Sequence, residues 1–208
     1  MGTHSKINSL KSRVIILAAG NSTRMGSPKA LLNLQGKTLL EFQLDALSLQ
    51  PQKPIVVLGL HSEQILEAIP DLKNKANLAV NRNPELGQFS SLKLALSELN
   101  NEATFVLPLD TPAPGSNVWM EIERAIENFS VVVPNFHGRG GHPVWLSADF
   151  TEQLLRDGIP NSEQRLDFQI RKIKKELYRA VSVSDPSILI DLDTPEDLSA
   201  YLMDFRNN

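Results

Sequence analysis

The chain contains no cysteine among its 208 residues. Disulfide bonds, thiolate metal sites and cysteine nucleophiles are therefore excluded, and a chain without disulfides fits a cytoplasmic protein. Long apolar runs are lacking as well. The run over residues 14–19 is too short for the core of a signal peptide, and it falls far below the roughly 20 residues that a membrane helix needs. We therefore expect a cytoplasmic protein with no membrane partner.

An excess of positive charge is also absent. The formal net charge is −3, so no overall field attracts nucleic acid or an anionic membrane, and any phosphate-binding site must be local. The four histidines show no metal-ligand spacing such as His-Glu-x-x-His. What the chain does have is 41% hydrophobic residues in a length that suits one domain.

Short apolar runs alternate with helical patterns along most of the chain. The predicted strands cover residues 14–19, 55–58, 78–80, 104–107 and 131–133. This alternation predicts an α/β fold with a three-layer, doubly wound and mostly parallel sheet. We interpret residues 1–12 as a flexible N-terminus and residues 13–208 as one domain. The alternation changes over residues 136–183, where we expect an elaboration.

Two further elements are predicted from local patterns near the end of the chain. Residues 165–175 have the polar and basic pattern of a helix, and residues 189–193 form a short strand-like run. The basic run over residues 171–175 either contacts a phosphate or is a solvated helix face.

The first predicted strand ends in a loop that carries Gly20, Gly26 and Pro28. A glycine-bearing loop directly after a strand can present backbone N–H groups to an anion. The same loop contains Arg24 and Lys29, and cations of this kind bind phosphate through charge-assisted hydrogen bonds. We therefore predict that this loop binds a nucleoside triphosphate.

Carboxylates follow two later runs of the chain. Asp110 comes shortly after the strand over residues 104–107, and Asp191 and Asp193 alternate with an apolar residue. Ligands of open α/β sheets lie at the carboxyl ends of the strands. A triphosphate needs a divalent ion, and Mg²⁺ usually takes one or two carboxylates together with phosphates and water. Asp110 and Asp193 meet this requirement, and Asp191 could replace Asp193 or orient a metal-bound water.

Both predicted metal ligands also have a purely structural interpretation. Asp110 can be a turn former or a helix cap. Asp193 can be part of a helix start, because Asp-Thr-Pro-Glu-Asp is a favourable sequence for the beginning of a helix. In that sequence Thr194 is a good N-cap and Pro195 takes the first helical position.

Residues 17–29, with the sequence Leu-Ala-Ala-Gly-Asn-Ser-Thr-Arg-Met-Gly-Ser-Pro-Lys, resemble the signature of the MobA-like nucleotidyltransferases. Residues 83–92, 107–112, 138–144 and 191–198 are similar to four later family segments in the same order. Together they resemble the molybdenum cofactor cytidylyltransferase branch. The resemblance implies a Rossmann-like sheet of the nucleotide-diphospho-sugar transferase type, and an enzyme that moves NMP from an NTP to a phosphorylated acceptor and releases pyrophosphate.

The resemblance assigns roles to the matched residues on the nucleotide side. It implies a nucleotide-binding set of Leu17, Ala18, Ala19, Gly20, Arg24, Lys29, Ser90 and Asp110. Arg24, Lys29 and Asp110 would be the catalytic residues, and Asp110 and Asp193 would hold Mg²⁺. Ala19 stands where guanylyltransferases of the group carry glycine, which favours CTP as the donor.

On the acceptor side, Gly141, His142 and Pro143 match a family segment and would contact the acceptor. The branch implies molybdopterin or the molybdenum cofactor as that acceptor, and a molybdoenzyme or chaperone as a further partner. The sequence also departs from the family. Leu109 stands where the family has glycine, and residues 156–165 lack its Gly-Asp-x-Gly-Ala-Arg-like segment. Two alternatives therefore stay open: another acceptor such as a sugar 1-phosphate, and a non-catalytic cofactor-binding protein.

Overall fold

The computed structural model describes residues 7, 10–20, 25–34, 36–156 and 158–207, with side chains described as far as residue 203. The strands are β1 (Arg13–Ala18), β2 (Asn33–Leu34), β3 (Lys37–Thr38), β4 (Ile55–Leu58), β5 (Asn77–Val80), β6 (Thr104–Pro108), β7 (Val131–Phe136), β8 (Arg139–Gly140), β9 (Val144–Leu146) and β10 (Tyr178–Ser182). The α-helices are α1 (Leu39–Ala46), α2 (Ser62–Ala68), α3 (Leu72–Lys75), α4 (Gln88–Ser97), α5 (Ser116–Arg124), α6 (Ala148–Leu155), α7 (Leu166–Arg171) and α8 (Pro195–Asn207). Within this described part, none of the helices has the length and apolarity that crossing a membrane requires.

One mixed sheet organises the described residues. Its strand order is β10-β7-β9-β6-β1-β4-β5, with β8 paired to β7, while β2 and β3 form a separate hairpin. The neighbouring strands β6, β1, β4 and β5 run parallel to one another, and β7 runs parallel to β10. Strand β9 is antiparallel to both of its neighbours. The prediction of a mostly parallel sheet flanked by helices is confirmed.

Strand β1 lies in the middle of the sheet and is buried on both faces. Val14 and Ile16 pack into one apolar cluster with α1 and α5, whereas Ile15 and Leu17 pack into a second cluster with α4 and α6. Successive side chains of a strand point to opposite faces, so an apolar residue is needed at every position. This explains the unbroken apolar run that the sequence shows there, and it fixes the carboxyl end of β1 between those of β6 and β4.

The last third of the chain differs from the sequence prediction in three elements. The basic helix is shorter than expected, because α7 ends at Arg171 and a 3₁₀ turn follows at Lys175–Leu177. Strand β10 was not predicted. It is a largely exposed edge strand and therefore has no apolar pattern. The predicted strand over residues 189–193 is wrong: a 3₁₀ turn at Pro186–Leu189 precedes an irregular segment.

The N-terminal segment was expected to be flexible over residues 1–12. Ile7 is fully buried, and its N–H donates to the carbonyl oxygen of Ala46 at 3.0 Å. Leu10 is buried as well, and its N–H donates to Gln50 Oε1 at 2.7 Å. These contacts correct the expectation for the two residues, since apolar side chains gain free energy by packing on α1 and the residues that follow it. Residues 1–6, 8 and 9 lie outside the described part of the chain.

Candidate active site

Asp110 lies just beyond the carboxyl end of β6, and its neighbours in the chain are tied to the core. The N–H of Leu109 donates to the carbonyl oxygen of Leu17 at 3.1 Å, which continues the pairing of β6 with β1. The side-chain amide of Gln43 donates to the carbonyl oxygens of Leu109 and Thr111, both at 2.9 Å. Leu109 itself is buried in the core. The backbone on both sides of Asp110 is therefore held in place.

Gln43 is a positioning residue that the sequence analysis missed. It is fully buried on α1, on the same face as Leu39, Leu40 and Leu44. A buried side-chain amide is costly unless it finds hydrogen-bond partners. A single polar residue on an otherwise apolar helix face was therefore a usable signal, although its partners could not have been named.

The segment around Leu192 brings two further carboxylates to Asp110. Leu192 is fully buried, and its N–H donates to the carbonyl oxygen of Asp110 at 2.9 Å. Asp191 and Asp193 flank this bond. As a result, one carboxylate oxygen from each of the three aspartates lies within 4.8 Å of the others. The carboxylates meet as expected, but through one backbone hydrogen bond and a buried leucine and not through a strand.

The beginning of α8 decides between the two interpretations of Asp193. Thr194 Oγ1 accepts a hydrogen bond from the N–H of Asp197 at 3.2 Å, and the Asp197 carboxylate accepts from the N–H of Thr194 at 2.7 Å. This reciprocal pair is a capping box that satisfies the helix N-terminus. Thr194 is therefore the cap, and the Asp193 carboxylate makes a different contact.

That contact is with Lys29. Its Nζ lies 2.5 Å from Asp193 Oδ1 and 3.2 Å from Asp110 Oδ2. Burial lowers the pKa of Lys29, but the hydrogen bond to Asp193 and the charge of Asp110 outweigh it, so the pKa is raised overall. Lys29 therefore carries a positive charge directly on the carboxylate cluster.

The start of the glycine-bearing loop is packed closely against the loop that follows β4. Ala18 and Ala19 are buried and Gly20 is exposed. A Cβ atom at Gly59 would lie 2.5 Å from the carbonyl oxygen of Ala19, so only glycine allows this approach. Gly59 was missed, because its role depends on a contact between distant segments. Arg24 lies outside the described residues.

A cleft of about 1120 Å³ reaches Pro108, two residues before Asp110, and its lining does not include the three aspartates or Lys29. Leu17 and Pro108, at the carboxyl ends of β1 and β6, form part of its lining. One wall comes from the beginning of α4, and another from residues 140–142 and 164–171. A crevice at the carboxyl ends of parallel strands is the usual ligand position in this type of sheet.

Ser90 was predicted to bind nucleotide, and its hydroxyl is engaged in the turn before it. Ser90 Oγ donates to the carbonyl oxygen of Gly87 at 2.7 Å and accepts from Asn81 Nδ2 at 2.8 Å. The same amide also donates to Ser91 Oγ at 2.9 Å. The neighbouring Phe89 lines the cleft. Ser90 therefore shapes this wall through hydrogen bonds within it.

Gly141 and His142 line the cleft, whereas Pro143 is buried and follows a cis peptide bond. The N–H of His142 donates to the carbonyl oxygen of Ile188 at 3.0 Å. A Cβ atom at Gly141 would lie only 2.2 Å from that same oxygen. Burial lowers the pKa of His142 more strongly than the charge of Asp110 raises it. The surroundings of His142 therefore favour its neutral form.

The amino-acid sequence over residues 14–176 matches the family model of the MobA-like NTP transferase domain. The chain belongs to this family. Members of the MobA-like family are nucleotidyltransferases, so the carboxylates, Lys29 and the cleft lie in the fold of a nucleotidyltransferase.

Three known proteins illustrate the relationship. The chain is 27% identical over 186 residues to the molybdenum cofactor cytidylyltransferase of Escherichia coli K12, covering 88% of this chain and 91% of the relative. It is 28% identical over 136 residues to a probable molybdenum cofactor guanylyltransferase of Bacillus cereus Q1, covering 60% and 62% of the two chains. The structure of Rv0371c from Mycobacterium tuberculosis H37Rv in complex with manganese shares the fold, with a TM-score of 0.75, 21% identity and coverage of 93% and 99%.

The carboxylate cluster of this MobA-like chain has the donors that a divalent cation requires. Burial, followed by repulsion from the charges of Asp110 and Asp193, raises the pKa of Asp191. A bound cation relieves this repulsion, and Mg²⁺ and Mn²⁺ both prefer oxygen ligands. The residues therefore fit a divalent metal, and both Asp191 and Asp193 are close enough to Asp110 to share it.

Proposed function

We propose that this protein is a Mg²⁺-dependent nucleotidyltransferase that transfers CMP from CTP to molybdopterin or the molybdenum cofactor. The observation that supports this most directly is the meeting of Asp110, Asp191 and Asp193 within 4.8 Å, with Lys29 bound to two of them. This cluster lies at the carboxyl end of the central strands, next to a cleft large enough for a nucleotide and an acceptor. Family membership gives the reaction class.

The reaction places few demands on acid–base groups. An acceptor phosphate is ionised at neutral pH, so it can attack the α-phosphorus of the nucleotide without a general base, and pyrophosphate leaves. Catalysis then depends on positioning and on neutralising charge. We assign charge neutralisation to Lys29 and, when bound at Asp110 with Asp193 or Asp191, to Mg²⁺, which acts as a Lewis acid and clamp.

The choice of CTP rests on Ala19 and on one relative. Ala19 stands where guanylyltransferases of the group carry glycine, and it is buried directly after β1, with its backbone against Gly59. A relative that aligns with 88% of this chain is named molybdenum cofactor cytidylyltransferase. The cytoplasmic location inferred from the sequence stays a prediction.

A different phosphorylated acceptor is the second candidate. The family's acceptor-side segment is missing from residues 156–165, and it is this part of the chain that leads into the cleft wall at Gln164 and Arg165. The other departure has less weight. Leu109 points into the core, and its backbone supports Asp110. Having leucine where the family has glycine therefore leaves the carboxylate in place.

Pyrophosphate release distinguishes these candidates. The protein is incubated with Mg²⁺, each of the four ribonucleoside triphosphates and an acceptor, either the molybdenum cofactor or a panel of sugar 1-phosphates. We expect release with CTP and the molybdenum cofactor. Release with sugar 1-phosphates alone would favour the second candidate, and a protein that binds the cofactor without any release would be a non-catalytic member. Omitting the acceptor controls for hydrolysis of the nucleotide.

A further inference from the structure

The basic run over residues 171–175 is divided by the structure into two groups. Arg171 and Lys175 line the cleft. Lys172, which forms an ion pair with Glu163, and Lys174 are not part of the cleft lining. The four cations are neighbours in sequence, so any difference between the two pairs must come from where the fold places them.

The cations of the cleft rim are held in a defined arrangement. Arg165 Nε lies 3.0 Å from Asp167 Oδ1, and Arg171 Nη2 lies 3.5 Å from Asp167 Oδ2. The ring of Phe168 lies 5.0 Å from the guanidinium carbon of Arg165 and 5.6 Å from that of Arg171. The shared carboxylate and aromatic ring bring both guanidinium groups, which are 66% and 72% exposed, to the same part of the rim.

The cleft beneath this rim is apolar on the side of α4 and α7. The apolar side chains that line it there are Phe89, Leu92, Leu166, Ile170 and Ile173. Phe89 and Leu92 are buried at the base of this side, while Leu166, Ile170 and Ile173 are partly exposed. Partly exposed apolar side chains gain free energy when an apolar ligand covers them, and a polar rim orients that ligand. The cleft therefore suits a ligand that is apolar or aromatic in its body and anionic at its edge.

We propose that Arg171 and Lys175 determine acceptor specificity by binding an anionic group on an acceptor whose apolar or aromatic body lies on the α4–α7 side of the cleft. The description of this ligand as the acceptor rests on the proposed function. The nucleotide is assigned to the other part of the cleft, which Leu17 and Pro108 line at the carboxyl ends of β1 and β6. The sequence left two interpretations of the basic run open, and the structure assigns one to each pair of cations.

A pair of fluorescent probes tests this chemistry without knowledge of the acceptor. 8-Anilinonaphthalene-1-sulfonate has an aromatic body and one anionic group, and N-phenyl-1-naphthylamine has a similar body without the charge. Both are titrated into the wild type, the Arg171→Gln/Lys175→Gln variant and the Lys172→Gln/Lys174→Gln variant, which loses the same charge. We expect the cleft variant to bind the sulfonate about tenfold more weakly, as two exposed ionic contacts are lost. The control variant should stay within about twofold of the wild type.

The uncharged probe should bind all three proteins with the same affinity. Equal sulfonate affinities of the two double variants would overturn the proposal, and so would an absence of saturable sulfonate binding to the wild type. An equal loss of both probes in the cleft variant would also overturn it, because the loss would then come from altered packing.

Turnover separates this inference from the proposed function. If the molybdenum cofactor is a substrate, the cleft variant should raise the KM for the cofactor about tenfold and leave the KM for CTP within about twofold. If no acceptor is turned over, the proposed function fails, while the probe titrations still decide whether Arg171 and Lys175 bind an anion.

Discussion

Replacing Lys29 with methionine should tighten the binding of Mn²⁺ to the free protein and at the same time abolish nucleotidyl transfer. The Lys29 ammonium lies 2.5 Å from Asp193 and 3.2 Å from Asp110, so it already pairs with two of the carboxylates that would hold a divalent ion. The metal and the lysine therefore compete in the free protein. Once a nucleotide is bound, its phosphates give the ammonium a second anionic partner.

The size of the effect follows from Coulomb's law. A divalent ion and an ammonium about 4 Å apart repel by about 2 kcal/mol at the dielectric constant of water, and by about four times as much at an effective value of 20. The side chains of Asp110 and Asp193 are 30% and 31% exposed, and the lysine can move away, so we take the lower figure. About 2 kcal/mol corresponds to binding that is about 30-fold tighter.

The assay is a titration with MnCl₂ in which electron paramagnetic resonance measures free Mn²⁺. Lys37→Met is the matched control, because Lys37 also pairs with a carboxylate, that of Asp45, but on the exposed surface. It should leave Mn²⁺ affinity unchanged. Unchanged or weaker Mn²⁺ binding in Lys29→Met would refute the proposed competition at this site. Turnover that survives the substitution would refute the catalytic role assigned to Lys29.

Two further predictions concern stability. Gly141→Ala forces a Cβ atom against the Ile188 carbonyl oxygen. Thermal unfolding should therefore show a free energy of unfolding lower by about 2 kcal/mol and a melting temperature lower by about 4–8 °C. In the control Gly20→Ala the new Cβ atom meets no such atom among the described residues, and an equal loss of stability there would contradict the explanation. Burial and the charge of Asp185 raise the pKa of Tyr201 to about 12. Stability should therefore fall as pH rises between about 10 and 12, when the unfolded chain loses the phenolic proton first. Chemical denaturation of Tyr201→Phe should lack this part of the decline, and identical profiles would exclude it.

The parts of the fold that were predictable are those in which burial leaves a pattern in the sequence. The bounds of β4 were predicted correctly and those of β1 within one residue, because both strands are apolar at nearly every position. The exposed β10 has no such pattern, and it forms only because β7 offers its edge. The capping of α8 by Thr194 was also predictable, since all its hydrogen bonds are local.

The residues of the candidate site could be predicted from the sequence, but the way in which the fold brings them together could not. Asp110 and Asp193 were expected to meet because strand ends converge, yet residues 189–193 are not a strand. They meet because buried Leu192 donates a hydrogen bond to Asp110 across more than eighty residues of sequence. Gln43 and Gly59 were missed for the same reason, since each acts through a distant backbone carbonyl.

Transfer of radiolabel from [α-³²P]CTP to the acceptor tests the central claim most directly. The wild type, with Mg²⁺ and the molybdenum cofactor, should form a labelled product that contains CMP and release unlabelled pyrophosphate. Asp110→Asn should form none, whereas Asp149→Asn, which removes an exposed carboxylate on α6, should form as much as the wild type. Undiminished labelling by Asp110→Asn, or no labelled product from the wild type with any nucleotide and acceptor, would contradict the account.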